Sequence, residues 1–82
     1  MQQTADEIEK AIREVLSAVL EREVPAGEAI TRKTDPTWDS LKHVQILYGV
    51  EDALDIEFDE SEMAKLDSLE KLQRSAERHL AS

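Results

Sequence analysis

Apolar positions recur every three or four residues in three stretches of this chain, and turn-forming residues separate the stretches. Ile8, Ala11, Ile12, Val15, Leu16, Val19 and Leu20 fall on one stripe and predict a helix from Thr4 to Leu20. Thr4 with Glu7 makes a capping box at its start, and Asp6 and Glu7 suit the positive end of the helix. Glu9 lies four residues before Arg13 and can pair with it on the wet side. A second periodic run goes from Ser40 to Leu54 or Asp55. Projected as a helix it has two apolar faces. Ile46, Leu47, Val50, Ala53 and Leu54 form the expected core stripe, while Leu41, Val44 and Tyr48 fall on another side, flanked by Glu51 and Asp52. The last run, Leu69, Leu72, Ala76 and Leu80, predicts a helix to about Leu80. Asp67 with Glu70 signals its start, and Arg78 and His79 suit its negative end.

The connections differ in length. Glu21 to Trp38 reads as a long loop: Pro25 and Gly27 break helix, and Pro36 pushes Asp35 out of the helical region. Val24 and Ile30 are the expected anchors of that loop in the core. A connection this long inside a compact domain is often functional. After the second helix come Ile56 and Phe58, both expected to be buried, and then Asp59 or Ser61 as the cap of a short helical turn from Glu62 to Leu66. Gly49 lies mid-helix, which costs about 1 kcal/mol relative to alanine. Close approach of a second helix is one possible reason. The sum is an all-α fold: a small helical bundle of three main helices plus one short helix, in a single domain over residues 1–82.

Charge and composition narrow the function. The chain has 82 residues and a formal charge of −9, from 19 acidic and 10 basic side chains. That balance disfavours nucleic acid and anionic membrane surfaces and favours partners with basic patches. There is no cysteine, so any thioester chemistry needs a sulfur from a prosthetic group. No apolar run is long enough to span a bilayer, so no membrane insertion is expected. The N-terminus, Met-Gln-Gln-Thr-Ala-Asp-Glu, lacks the basic and apolar regions of a secretory signal. The expectation is a soluble, cytoplasmic monomer. It is not expected to be an enzyme, since nothing suggests a convergent nucleophile and base, a metal cluster or a phosphate loop. His43 is expected as a polar filler near the core edge, and the other histidine, His79, is far along the chain, which argues against a metal site. The acidic run from Glu51 to Glu62 lacks the glycine and later glutamate of a calcium loop.

The candidate chemistry lies at Asp39-Ser40-Leu41. Asp39 is placed to cap the second helix, which leaves Ser40 as its first residue with the hydroxyl spare and facing water. A phosphate on that oxygen is favoured by the positive helix end. The second apolar stripe begins beside it, and a small domain has little reason to expose such a stripe unless something docks there. Asp67-Ser68-Leu69 repeats the tripeptide, but Ser68 reads as part of a cap before the last helix.

With its acidity, size, long loop and Asp-Ser-Leu opening a central helix, the chain resembles the acyl and peptidyl carrier proteins. The resemblance runs from the first helix to about His79 and implies an acyl-carrier-protein-like bundle. It implies that Ser40 carries 4′-phosphopantetheine, attached from coenzyme A by a phosphopantetheinyl transferase that Asp39 and its magnesium ion assist. It further implies that an activating enzyme of ligase or adenylation type loads an acyl or aminoacyl group as a thioester. A downstream transferase or synthase then receives the cargo. Leu41, Val44, Tyr48, Glu51 and Asp52 are the implied partner face. Thr37 stands where the family commonly has glycine, Trp38 where fatty-acid carriers commonly have a small residue, and Lys42 and His43 where that helix is usually acidic. These departures point to a dedicated carrier, for an amino acid or a specialised pathway. Trp38 either packs over the helix start or meets a partner. The rival reading is an acidic helical adaptor with no prosthetic group, binding through Leu41, Val44 and Tyr48.

Overall fold

The computed structural model describes residues 4–81; the start of the N-terminal stretch read for a signal lies outside them. The described residues form four helices: α1 (Ala5–Leu20), α2 (Ser40–Leu54), α3 (Glu60–Met63) and α4 (Leu69–Ala81). The fold is all-α. Among the described residues the β-type pairing is a single antiparallel bridge, Thr31 with Ser68.

α1 is the axis of the molecule, packing against both α2 and α4. Its start is the capping box: the Glu7 amide donates to Thr4 Oγ1 at 3.2 Å and the Thr4 amide to Glu7 Oε1 at 3.2 Å. Its end is Glu21, in the left-handed region at φ 55°, whose amide donates to the Ser17 carbonyl. Glu9 and Arg13 pair at 3.0 Å. Ile8, Ile12, Leu16 and Leu20 face the core, with Val24 and Ile30 from the loop, as the periodicity predicts. Ile12 is fully enclosed, so Ile12→Ala at this site costs about 2–5 kcal/mol.

The core stripe of α2 is His43, Ile46, Leu47, Val50 and Leu54. Two expectations change here. Ala53 is exposed, not core, and His43 is buried in the centre of the stripe. At about 100° per residue His43 projects between Ile46 and Leu47, whereas Ala53 lies on the flank of the same face. The flank that Ala53 shares with Gly49 is where α1 comes close. A β-carbon on Gly49 would stand 2.7 Å from Val15 Cγ1, so the glycine is there for helix approach.

The short helix is α3, one turn at Glu60–Met63 rather than Glu62–Leu66. Asp59 starts it, with its amide donating to Glu62 Oε2 at 2.9 Å. Phe58 is buried, and Ile56 is half-buried. α4 begins one residue later than its acid signal suggests: Ser68 Oγ, not the Asp67 carboxylate, accepts the Lys71 amide at 3.1 Å. Asp67 is occupied otherwise. Its carbonyl accepts the Arg32 amide at 2.8 Å, and its side chain pairs with Lys71 Nζ at 3.0 Å. The Lys71 ammonium beside it holds the Asp67 carboxyl below its ordinary range.

Candidate functional site

The loop before Ser40 has no regular structure, yet three attachments fix it. The first is a knot around Asp35, which is buried. Its Oδ1 accepts the Thr37 hydroxyl at 2.6 Å and the Thr37 amide at 2.9 Å, and its Oδ2 accepts Arg22 Nη2 at 3.0 Å. The Thr37 hydroxyl, with the Thr37 amide and Arg22, lowers the Asp35 pKa against the opposing effect of burial. The second is Trp38, only 2% exposed. Its indole N–H donates to His43 Nδ1 at 3.0 Å, and the rings stack with centroids 6.0 Å apart. An indole N–H can only donate, so His43 Nδ1 accepts and its Nε2–H donates to the Met63 carbonyl at 2.8 Å. Trp38 is therefore a packing residue, and His43 ties the loop and α2 to the end of α3. The third attachment is the 31–68 bridge, with the Leu69 amide donating to the Ile30 carbonyl at 3.0 Å.

Asp39 and Ser40 rest on this support. Asp39 is the N-cap, at φ −96° and ψ −173°, and its Oδ1 accepts the Lys42 amide at 2.9 Å. Ser40 is the first residue of α2 and is exposed. Its hydroxyl is not spare, as the sequence suggests, because Arg32 Nη2 donates to Oγ at 3.0 Å. The other serine of the repeated tripeptide, Ser68, is buried and used as a cap. The fold thus separates two identical tripeptides, offering one hydroxyl to the outside and enclosing the other.

Leu41, Val44 and Tyr48 are 67%, 45% and 61% exposed, the large apolar side chains left uncovered among the described residues. Val44 is one turn on from Ser40, so hydroxyl and stripe share a face of α2. Past Tyr48 the face runs into an open acidic groove of about 840 Å³, lined by Asp52, Asp55, Glu57 and Glu60 among others. Glu51 has a second occupation there. It is half-buried, and its Oε2 accepts the Phe58 amide at 2.7 Å, closing the turn after α2. Asp52 is exposed on the rim.

Two groups escape sequence reasoning. Arg32 has no spacing relation to Ser40 that a helix or strand pattern would reveal, and only the folded loop brings them together. Glu62 is the other. Its Oε1 accepts Ser75 Oγ at 2.6 Å and Arg78 Nη2 at 3.2 Å, and its Oε2 stands 2.9 Å from His79 Nε2. Burial alone raises its pKa, but Ser75, His79 and the Asp59 amide outweigh that and bring it to about 2. Asp59, Glu62 and His79 hold possible ligand atoms within 4.8 Å of one another. Hydrogen bonds within the protein already engage the two carboxylate oxygens of Glu62, so this cluster reads as a clasp between α3 and α4.

No protein-family model, curated protein or solved structure matches the chain. Any functional reading therefore rests on the residues and their geometry. At Ser40 the structure brings together an exposed hydroxyl, an arginine beside it and a loop held at three points.

Proposed function

We propose that this protein is a discrete carrier of acyl or aminoacyl groups, with 4′-phosphopantetheine attached at Ser40. One observation carries the reading: of two Asp-Ser-Leu sites, the fold exposes the serine that adjoins an uncovered apolar stripe. Ser40 Oγ bonds to the phosphorus of coenzyme A that bears the pantetheine. The bond from that phosphorus to adenosine 3′,5′-bisphosphate breaks, and the serine proton passes to the transferase. The attached arm supplies a thiol, which this cysteine-free chain lacks, for a thioester to the cargo.

The chain's own part is presentation. Asp39 holds the start of α2, and its exposed carboxylate would serve the transferase's magnesium ion. Leu41, Val44 and Tyr48 give an apolar landing next to the arm, and Asp52 with the acidic groove draws in basic partner surfaces. Tethering then raises the effective concentration of cargo at each enzyme in turn. A transferase, an activating enzyme and an acceptor enzyme are the partners this scheme requires. Trp38 and His43 are taken up by packing within the fold, so the departures that support a dedicated pathway are those at Thr37 and Lys42.

The test is intact mass after incubation with coenzyme A and a promiscuous phosphopantetheinyl transferase. Wild type and Ser68→Ala should each gain one 4′-phosphopantetheine, and Ser40→Ala should gain none while keeping its helical circular dichroism. Absence of the gain in wild type leaves the adaptor reading. Loss of the gain in Ser68→Ala alone moves the attachment site.

A further inference from the structure

We propose that Arg32 is a phosphate clamp: its guanidinium binds the phosphodiester that joins the arm to Ser40. The proposal deepens the carrier reading and rests on Ser40 as the attachment point. Arg32 Nη2 lies 3.0 Å from Ser40 Oγ, the atom that would become the ester oxygen. A phosphorus bonded to that oxygen would put its two free oxygens within reach of the same guanidinium. The planar fork of arginine suits paired hydrogen bonds to phosphate.

The company Arg32 keeps is unusual among the arginines of this chain. Arg13, Arg22, Arg74 and Arg78 each pair with a carboxylate. Arg32, in a protein with 19 acidic residues, has none among the described residues, and its guanidinium bonds a neutral hydroxyl. Nor is it a loose surface side chain. Its amide donates to the Asp67 carbonyl at 2.8 Å, next to the Thr31–Ser68 bridge, and the residue is half-buried. The backbone that carries the cation is thus already ordered, so less freedom remains to be lost on binding an anion. Asp39 precedes Ser40, and its carboxylate opposes a second negative charge there. Arg32, at 3.0 Å from the hydroxyl, supplies the compensating charge. In this respect the loop from Glu21 to Trp38 does more than connect two helices: it delivers one cation to one oxygen.

The experiment compares wild type, Arg32→Gln and Arg32→Lys, each driven to completion with coenzyme A and a promiscuous transferase and checked by intact mass. The 31P resonance of the phosphodiester is recorded as sodium chloride is raised, and apo and holo melting temperatures are measured. In wild type the resonance should be displaced from that of Arg32→Gln and should move toward it with salt, as an exposed ion pair is screened. Arg32→Lys should fall between, keeping charge without the fork. Attachment should raise the melting temperature of wild type more than that of Arg32→Gln. Coincident resonances with the same salt response in fully modified wild type and Arg32→Gln overturn the clamp and leave the attachment reading standing. A wild type that takes no arm overturns both. Should Arg32→Gln fail to fold or to reach completion, Arg32→Lys carries the same comparison, and a resonance identical to wild type at every salt concentration, with an equal gain on attachment, then counts against the clamp.

Discussion

Two single residues show how closely the site depends on local chemistry. Asp39 caps α2 through the Lys42 amide and also stands next in the chain to Ser40, the proposed attachment point. The two roles separate by substitution. Asp39→Ala should lower unfolding free energy by about 0.5–2 kcal/mol, the usual range for a lost cap, and slow modification strongly. Asp39→Asn should keep most of the cap, because asparagine caps about as well, but lose the charge. Urea melts give the first effect and timed mass spectra the second; equal modification rates for wild type and Asp39→Asn would leave Asp39 a structural role only. Gly49 is the second case. Alanine there gains about 1 kcal/mol of helix propensity. It also meets Val15 Cγ1 at 2.7 Å. Overpacking of this kind costs about 1–3 kcal/mol, and the β-branched Val15 has little freedom to retreat. Gly49→Ala should therefore destabilise on balance, and Val15→Ala in the same chain should recover part of the loss. Additive effects in that double-mutant cycle would show that the two residues do not meet.

At the scale of elements, the clasp between α3 and α4 carries a pH dependence. Glu62 titrates near 2 in the folded protein against 4.5 as its ordinary value. A depressed carboxyl stabilises the fold above its unfolded pKa, and the contribution fades as pH falls from 4.5 toward 2. Wild type should therefore be more stable than Glu62→Gln at pH 7 by a margin of, at most, about 3 kcal/mol, and the margin should shrink through that window. Chemical denaturation of both proteins across the acid range measures it; a margin that does not change with pH would exclude the clasp as its source. The clasp was not legible in the sequence, because its partners come from two elements and no period links them. The helices themselves were legible, since stripe, capping box and breaker residues agree in α1, and the long loop was bounded by its prolines. Where reading failed, a tertiary contact had overruled a local signal. His43 looks like an edge residue until Trp38 supplies a buried N–H for it to accept. Asp67 looks like a cap until the bridge to the loop leaves Ser68 that place. The place of Ser40 at the start of α2 is legible from its motif, while its contact with Arg32 is not, because a loop contact eight residues away leaves no pattern.

At the scale of the whole molecule, the two sides of α2 differ in what covers them. Its buried side joins α1 and the loop in one core, and its outer side shows Leu41, Val44 and Tyr48 next to Ser40 and leads into acidic ground. Among the described residues no helix is long and apolar enough to cross a membrane. If enzymes dock there, apolar contact and charge should act on different quantities. Val44→Asp should lower the rate constant for phosphopantetheine transfer at low and high salt alike, with little change in urea stability, because Val44 is 45% exposed. Tyr48→Ala should act in the same direction. Asp52→Asn should slow transfer at low salt only, since a rim charge mainly steers association and is screened as salt rises. Glu51 is unsuitable for this comparison, because its carboxylate also holds the Phe58 amide and its loss would disturb the turn. Ile46→Asp is the control. Ile46 is fully buried, and an unpaired charge there should unfold the bundle. Transfer to Val44→Asp at the wild-type rate in both salts would remove the stripe from the transferase's docking surface, whatever the state of the fold.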